Sequence, residues 1–308
     1  MRAPLGLPFG ELPTRVAQLS RGAVEFRYEP RGPATVVVFY GGHMRAGLAL
    51  GEEVFASGGC SLLVVSRPGY GRTPVTTGAS VTGFADVTAE LCAHLGISAV
   101  AAAVGVSAGG PTAVAMAARH PALVERLILQ SAVGPLPWPD RRTRVGARLV
   151  FGAGMEAVTW ATLHSLVRRA PNTGLRLLLG DLTVLPVQDT LAALRPEERA
   201  ELIALFSRMR SGRGFVHDLD VLRTPAALAR LAAQVRCPAL VIASRKDAAV
   251  PFAHAQSLAS AIPGAELVES QAEGHLVWFG RDWPSIAERI RAFLTPPEMP
   301  TQPSRQSL

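Results

Sequence analysis

Apolar positions along this chain follow two rhythms. In the first part, unbroken apolar runs at residues 35–40, 62–66, 100–106 and 127–131 alternate with stretches of helical period at 47–56, 81–95 and 108–119. Continuous apolar runs of strand length suit parallel strands buried on both faces, whereas a half-wet strand alternates, as residues 24–28 do. From residue 135 to 233 the strand rhythm stops. Amphipathic helical stretches such as 155–169 and 197–209 take over, punctuated by Pro and Gly. Strand-like runs resume at 239–243 and 266–269, and a last helix is expected over 284–294. The pattern predicts an α/β protein: a mostly parallel sheet flanked by helices, interrupted once by a helical insertion. Residues 1–134 and 234–295 form the two parts of the core, 135–233 a helical cap, and 296–308, rich in Pro, Gln and Ser, a disordered tail.

Composition narrows the class. With 308 residues, 48% hydrophobic and 18% charged, the chain is a globular one able to bury a sizeable core. No apolar run is long and uncharged enough to span a bilayer, and Pro, Gly and Glu11 interrupt the first twenty residues where a signal peptide would be unbroken. A cytoplasmic location without stable membrane association is therefore expected. Cys60, Cys92 and Cys237 are odd in number, scattered and without metal-ligand spacing, so neither a disulfide framework nor a metal site is expected. A net charge of +7 raises the question of polyanion binding. Yet Lys246 is the only lysine, and the arginines at 141–148, 168–169 and 208–213 interleave with apolar residues, as on a solvated face. A small-molecule partner is expected, and a nucleic acid is not.

Chemistry enters at Gly105-Val106-Ser107-Ala108-Gly109. In this G-x-S-x-G pattern a serine occupies a strained turn between strand and helix, and its glycines allow close backbone packing. The context fits: the apolar run 100–106 feeds the motif, and Pro111 follows where a first helical turn tolerates it. A serine hydroxyl needs a positioned base, and the base a group that fixes its tautomer. His275, in Glu273-Gly274-His275-Leu276 after the last apolar run, is the best-placed base; Asp247, after run 239–243, is the favoured acid, with Asp140 as competitor. Acyl transfer also needs N–H donors aimed at a developing oxyanion. The backbone of Ala108 offers one, and Gly42 or His43, in Tyr40-Gly41-Gly42-His43 after another strand, the second.

With these motifs in order, the chain resembles the α/β-hydrolase superfamily, in particular serine-nucleophile members with a His-Gly-Gly oxyanion loop. Arg67-Pro68-Gly69-Tyr70-Gly71 matches a further family element, read as structural, while Tyr40 stands where the family often has His. The resemblance spans about residues 22–134 and 236–294. It implies the α/β-hydrolase fold and a cofactor-free hydrolase acting on a small apolar carboxylic ester, or a related acyl substrate, through an acyl-serine. Alternatives within the fold are a non-catalytic ligand binder, a cofactor-independent perhydrolase and a carbon-carbon bond hydrolase. Met155, Trp160 and Leu163, on one apolar helical stripe of the cap, are candidate substrate contacts.

Overall fold

The structure, a computed structural model, describes residues 10–139, 141–152 and 154–295. Asp140 and the tail 296–308 lie outside the described residues. The strands are β1 (Arg15–Leu19), β2 (Gly22–Glu29), β3 (Thr35–Phe39), β4 (Ser61–Val65), β5 (Ala102–Val106), β6 (Leu127–Gln130), β7 (Ala239–Ser244) and β8 (Glu266–Ser270). They form one sheet in the order β1-β2-β4-β3-β5-β6-β7-β8. The β1–β2 and β2–β4 pairs are antiparallel, and every pair from β4 to β8 is parallel.

The runs that read as buried strands are buried throughout, because helices cover both faces and successive side chains alternate between them. Val37, Phe39, Leu63, Val65 and Val241 face α2 (Val81–His94), α3 (Gly110–Arg119), α10 (Pro225–Ala232) and α11 (Ala253–Ala261). Val36, Val38, Leu62, Val64 and Leu240 face α1 (Glu53–Ala56) and α12 (Trp283–Leu294). The order reverses at β3, which has β4 on one side and β5 on the other. Such a switch point opens a crevice beyond the carboxyl ends of the strands, where open α/β sheets bind ligands.

Between β6 and β7 the chain forms α4 (Arg141–Phe151), α5 (Met155–Arg169), α6 (Pro171–Gly180), α7 (Val187–Ala193), α8 (Pro196–Phe206) and α9 (Gly214–Val221), then α10. These helices have a core of their own, built on Val167, Leu175, Leu179, Leu191, Leu202 and Phe206. Helix α10 does not belong to it. Its Leu228 and Ala232 pack into the layer of α2, α3 and α11, so the excursion from the core ends before residue 233. No described helix is long and apolar enough to cross a membrane.

Two elements differ from the sequence pattern. Strand β1 is absent from it because this edge strand is largely solvated, begins at Arg15 and carries Gln18 between its apolar residues. The helix expected over 47–56 shrinks to Glu53–Ala56. Side chains take the backbone groups a helix would use: the Tyr40 hydroxyl accepts from the Leu50 N–H at 2.7 Å, and Arg27 Nε donates to Ala46 O at 2.9 Å.

Candidate active site

Strand β5 delivers Ser107 at the switch point. Its φ is 52°, an uncommon region for a residue with a Cβ, and the chain passes through one 3₁₀ turn, Ser107–Gly109, into α3. The sharp reversal leaves the side chain at the end of the sheet. A Cβ on Gly109 would lie 2.1 Å from Phe39 O, so only glycine lets this turn pack beside β3. A Cβ on Gly41 would come within 2.6 Å of Ser107 Cβ and 3.1 Å of its Oγ, so the loop after β3 lies directly against the serine.

Asp247 and His275 reach the same end of the sheet from the turns after β7 and β8. Asp247 Oδ2 lies 2.7 Å from His275 Nδ1, and its Oδ1 accepts from the Val250 N–H at 2.8 Å. Both residues are buried. An acceptor on Nδ1 fixes the ring's orientation and leaves Nε2 for a proton transfer. The turn after β6 ties base to serine through the backbone: Ser131 Oγ donates to His275 O at 2.7 Å, and the Val133 N–H donates to Ser107 O at 3.0 Å. Among the described residues no hydrogen bond joins the Ser107 side chain to His275. Such links are commonly loose until substrate is bound.

The loop after β3 is held from below and above. Tyr40, where the family often has His, turns its ring into the core, and its hydroxyl lies 2.5 Å from Glu52 Oε1. Glu52 in turn accepts both hydrogen bonds of a fork from Arg27 Nη2, at 2.6 and 2.8 Å. Burial raises the Glu52 pKa, although Arg27 opposes that shift. The Tyr40 carbonyl accepts from Arg67 Nε at 2.6 Å, and the Arg67 guanidinium grips both oxygens of Asp218 on α9 at 2.5 and 2.8 Å. The Tyr70 hydroxyl donates to the same carboxylate at 2.6 Å. Burial works against the charge on Arg67, but Asp218 outweighs it, so the pKa is raised. Removing one partner of such a buried pair costs about 3–5 kcal/mol. The Arg67–Gly71 turn therefore does more than shape the core: it fastens α9 over the glycine loop.

His43 has φ 66° and directs its backbone N–H to the Tyr70 hydroxyl. Its Nδ1 lies 2.7 Å from Ser211 Oγ, which also accepts from Trp160 Nε1 at 2.8 Å. The ring packs against Phe215, Phe151 and Trp160, with centroids at 4.2, 4.8 and 5.2 Å. Burial, then the charge of Arg67, pushes its pKa down to about 3, so the imidazole is neutral at physiological pH.

Apolar side chains gather over the serine turn. Ala108, Val133, Trp138 and Val250 cluster there with Phe215 and Leu222, and a Cβ on Gly42 would sit 3.0 Å from the Phe215 ring. Of the expected substrate contacts, Trp160 is buried beside His43, Leu163 is half-buried, and Met155 is 49% exposed on the outer side of α5. Sequence periodicity missed Trp138, Phe215 and Leu222 because they lie in a loop, on α9 and just beyond it, outside the α5 stripe. A cavity of about 40 Å³ lies beside His275, lined by Thr183, Gly274 and leucines of the insertion such as Leu179 and Leu202. Among the described residues, no group of three or more His, Cys, Asp and Glu side chains is arranged to hold a metal.

Residues 33–152 match a family described as alpha/beta hydrolase fold, and residues 219–305 match one described as TAP-like protein. An uncharacterised hydrolase of Bacillus subtilis (strain 168), YcgS, is 30% identical over 275 residues, covering 89% of this chain and 95% of that protein. Among solved structures, an alpha/beta hydrolase fold protein from Nakamurella multipartita is 24% identical, with a TM-score of 0.76 over 92% of this chain and 99% of that one. The enol-lactonase from Burkholderia xenovorans LB400 is 17% identical, with a TM-score of 0.67 over 92% of this chain and 100% of that one. These two likenesses are of fold.

Proposed function

Since the chain belongs to the α/β-hydrolase superfamily and is a hydrolase, we propose that it cleaves small apolar carboxylic esters, open or cyclic, through an acyl-serine on Ser107. The observation that carries this reading is the buried 2.7 Å contact of Asp247 with His275 Nδ1, at the end of the sheet that also presents Ser107. Ser107 Oγ attacks the ester carbonyl while His275 Nε2 takes its proton. The tetrahedral oxyanion rests on backbone N–H groups of Ala108 and the loop after β3. Gly42 is the better second donor, since the His43 N–H is engaged by the Tyr70 hydroxyl. As the intermediate collapses, His275 returns the proton to the departing alkoxide, releasing the alcohol. Water, deprotonated by the same imidazole, then attacks the acyl-serine, and the carboxylic acid leaves with Ser107 reprotonated.

The apolar roof of Trp138, Phe215, Leu222 and Val133 supports a modest, apolar acyl group. The enol-lactonase fold relative is a reason to include lactones beside open esters. The test is turnover of purified protein on acyl esters and lactones of graded size, with Ser107→Ala as control. Turnover lost in Ser107→Ala is expected; equal turnover by that variant would refute the reading.

A further inference from the structure

The helical insertion sends one short segment down to the acid and base. Between α6 and α7, Thr183 pairs with Asp247 in an antiparallel bridge, and the Val184 N–H donates to Lys246 O at 2.9 Å. One residue earlier, Leu182 O accepts from the His275 N–H at 2.8 Å. Thr183 Oγ1 completes the clamp by donating to Glu273 O at 2.5 Å, while accepting from the Leu185 N–H at 3.1 Å and lying 3.4 Å from Thr190 Oγ1. Residues 182–184 thus hold the turn after β7 and the turn after β8 at once. No side chain fits between them, since a Cβ on Gly274 would fall 2.5 Å from Leu182 O. Thr183 and Thr190 are both buried.

We propose that Thr183 is a positioning residue, which sets the separation of Asp247 and His275 from within the insertion. The inference rests on the acid and base roles proposed above. Its physical basis is that the two turns leave different strands: Asp247 and His275 meet at 2.7 Å near their tips, and further back the buried Ser244 Oγ accepts from the Lys246 N–H at 3.1 Å and donates to Ala272 O at 2.6 Å. The Lys246–Glu273 ion pair at 2.9 Å joins them only at a part-exposed rim, where such pairs contribute little. The Thr183 hydroxyl, by contrast, ties Glu273 O to the strand-like segment that pairs with Asp247. The packing of the insertion, which includes Leu182 and Leu179, is thereby coupled to the geometry of the base.

The test compares Thr183→Val, which keeps the branch and removes the hydroxyl, with Thr183→Ser, which keeps it. A misplacement of about 1 Å can cost about 100-fold in rate, so kcat for an ester should fall by roughly tenfold or more in Thr183→Val, with KM little changed. Thr183→Ser should restore it. The far-downfield proton resonance of the Asp247–His275 hydrogen bond should broaden or shift in Thr183→Val and return in Thr183→Ser. Unchanged kcat and resonance in Thr183→Val, or losses that serine does not rescue, would overturn the proposal. If Thr183→Val fails to fold, the same two readings on Thr190→Val, which removes the hydroxyl behind Thr183, decide in the same way. Should no Ser107-dependent turnover exist, the resonance still tests the clamp, separating its failure from that of the ester-hydrolase reading.

Discussion

The carboxylate of Asp247 has two jobs that can be separated. One oxygen is held by the Val250 N–H and the other meets His275 Nδ1, so Asp247→Asn keeps the shape but offers Nδ1 an amide that favours the wrong tautomer. The expected result is a loss of about 10⁴-fold in kcat with the fold intact, read by steady-state kinetics beside a thermal melt. A loss of under tenfold would mean that another group orients the imidazole. The convergence of Ser107, Asp247 and His275 on one end of the sheet was legible because each follows a strand of its parallel part. The second oxyanion donor proposed above was not. Choosing between Gly42 and His43 needs the Tyr70 hydroxyl, and nothing in the spacing of residues 40–44 predicts that Tyr70 reaches over them. Tyr40 was equally opaque, since its partners Glu52 and Arg27 meet only once β2 and the loop before α1 are in place.

The way the elements pack sets the α5 stripe apart from the proposed acyl site. The stripe on α5 is real, but Met155 and Val158 lie on its outer side, 49% and 56% exposed, and Trp160 turns in toward His43. The proposed roof comes instead from α9, the residue after it and the loop after β6. Phe215→Ala should therefore raise the turnover of longer acyl chains relative to short ones, while Met155→Ala leaves that ratio alone. Each added methylene in such a pocket changes binding by about 1–3 kcal/mol, so the shift should be graded along the series. A ratio that moves with Met155 and not with Phe215 would place the acyl site against α5.

Two elements also carry opposed pH dependences. His43 has its pKa pushed from 6.5 down to about 3 by burial and Arg67. The unfolded chain binds that proton first, so the stability from neutral His43 is complete above 6.5 and falls as pH drops toward 3. On α1, burial, aided by Glu52 and Glu201, pushes the Glu53 carboxyl from 4.5 up to about 8, and its Oε2 is buried without a hydrogen-bond partner among the described residues. Here the folded state keeps the proton longer. The contribution is full below 4.5 and is lost as pH rises through about 8. Thermal midpoints measured from about pH 4 to about pH 9 should flatten on the acid side in His43→Asn and on the alkaline side in Glu53→Gln. Parallel curves for the parent and both variants would show that neither group is linked to folding.

At the scale of the molecule, the α/β alternation and the break between residues 131 and 239 were readable because buried parallel strands have an unmistakable apolar signature. How the insertion meets the core was not, because its fastenings are single residues far apart in sequence. Asp218 meets Arg67, Ser211 meets His43, and Thr183 meets the Asp247 and Glu273 turns. Helix α10 shows the same limit: its pattern is as amphipathic as its neighbours', and only packing assigns Leu228 and Ala232 to the core layer. These fastenings converge on the end of the sheet that presents Ser107, the serine on which the proposed chemistry depends. The most direct measurement is reaction of the protein with a fluorophosphonate, followed by peptide mapping. One adduct is expected, on Ser107, formed slowly or not at all in His275→Ala; an adduct on another residue with Ser107 unmodified would contradict the assignment of Ser107 as nucleophile.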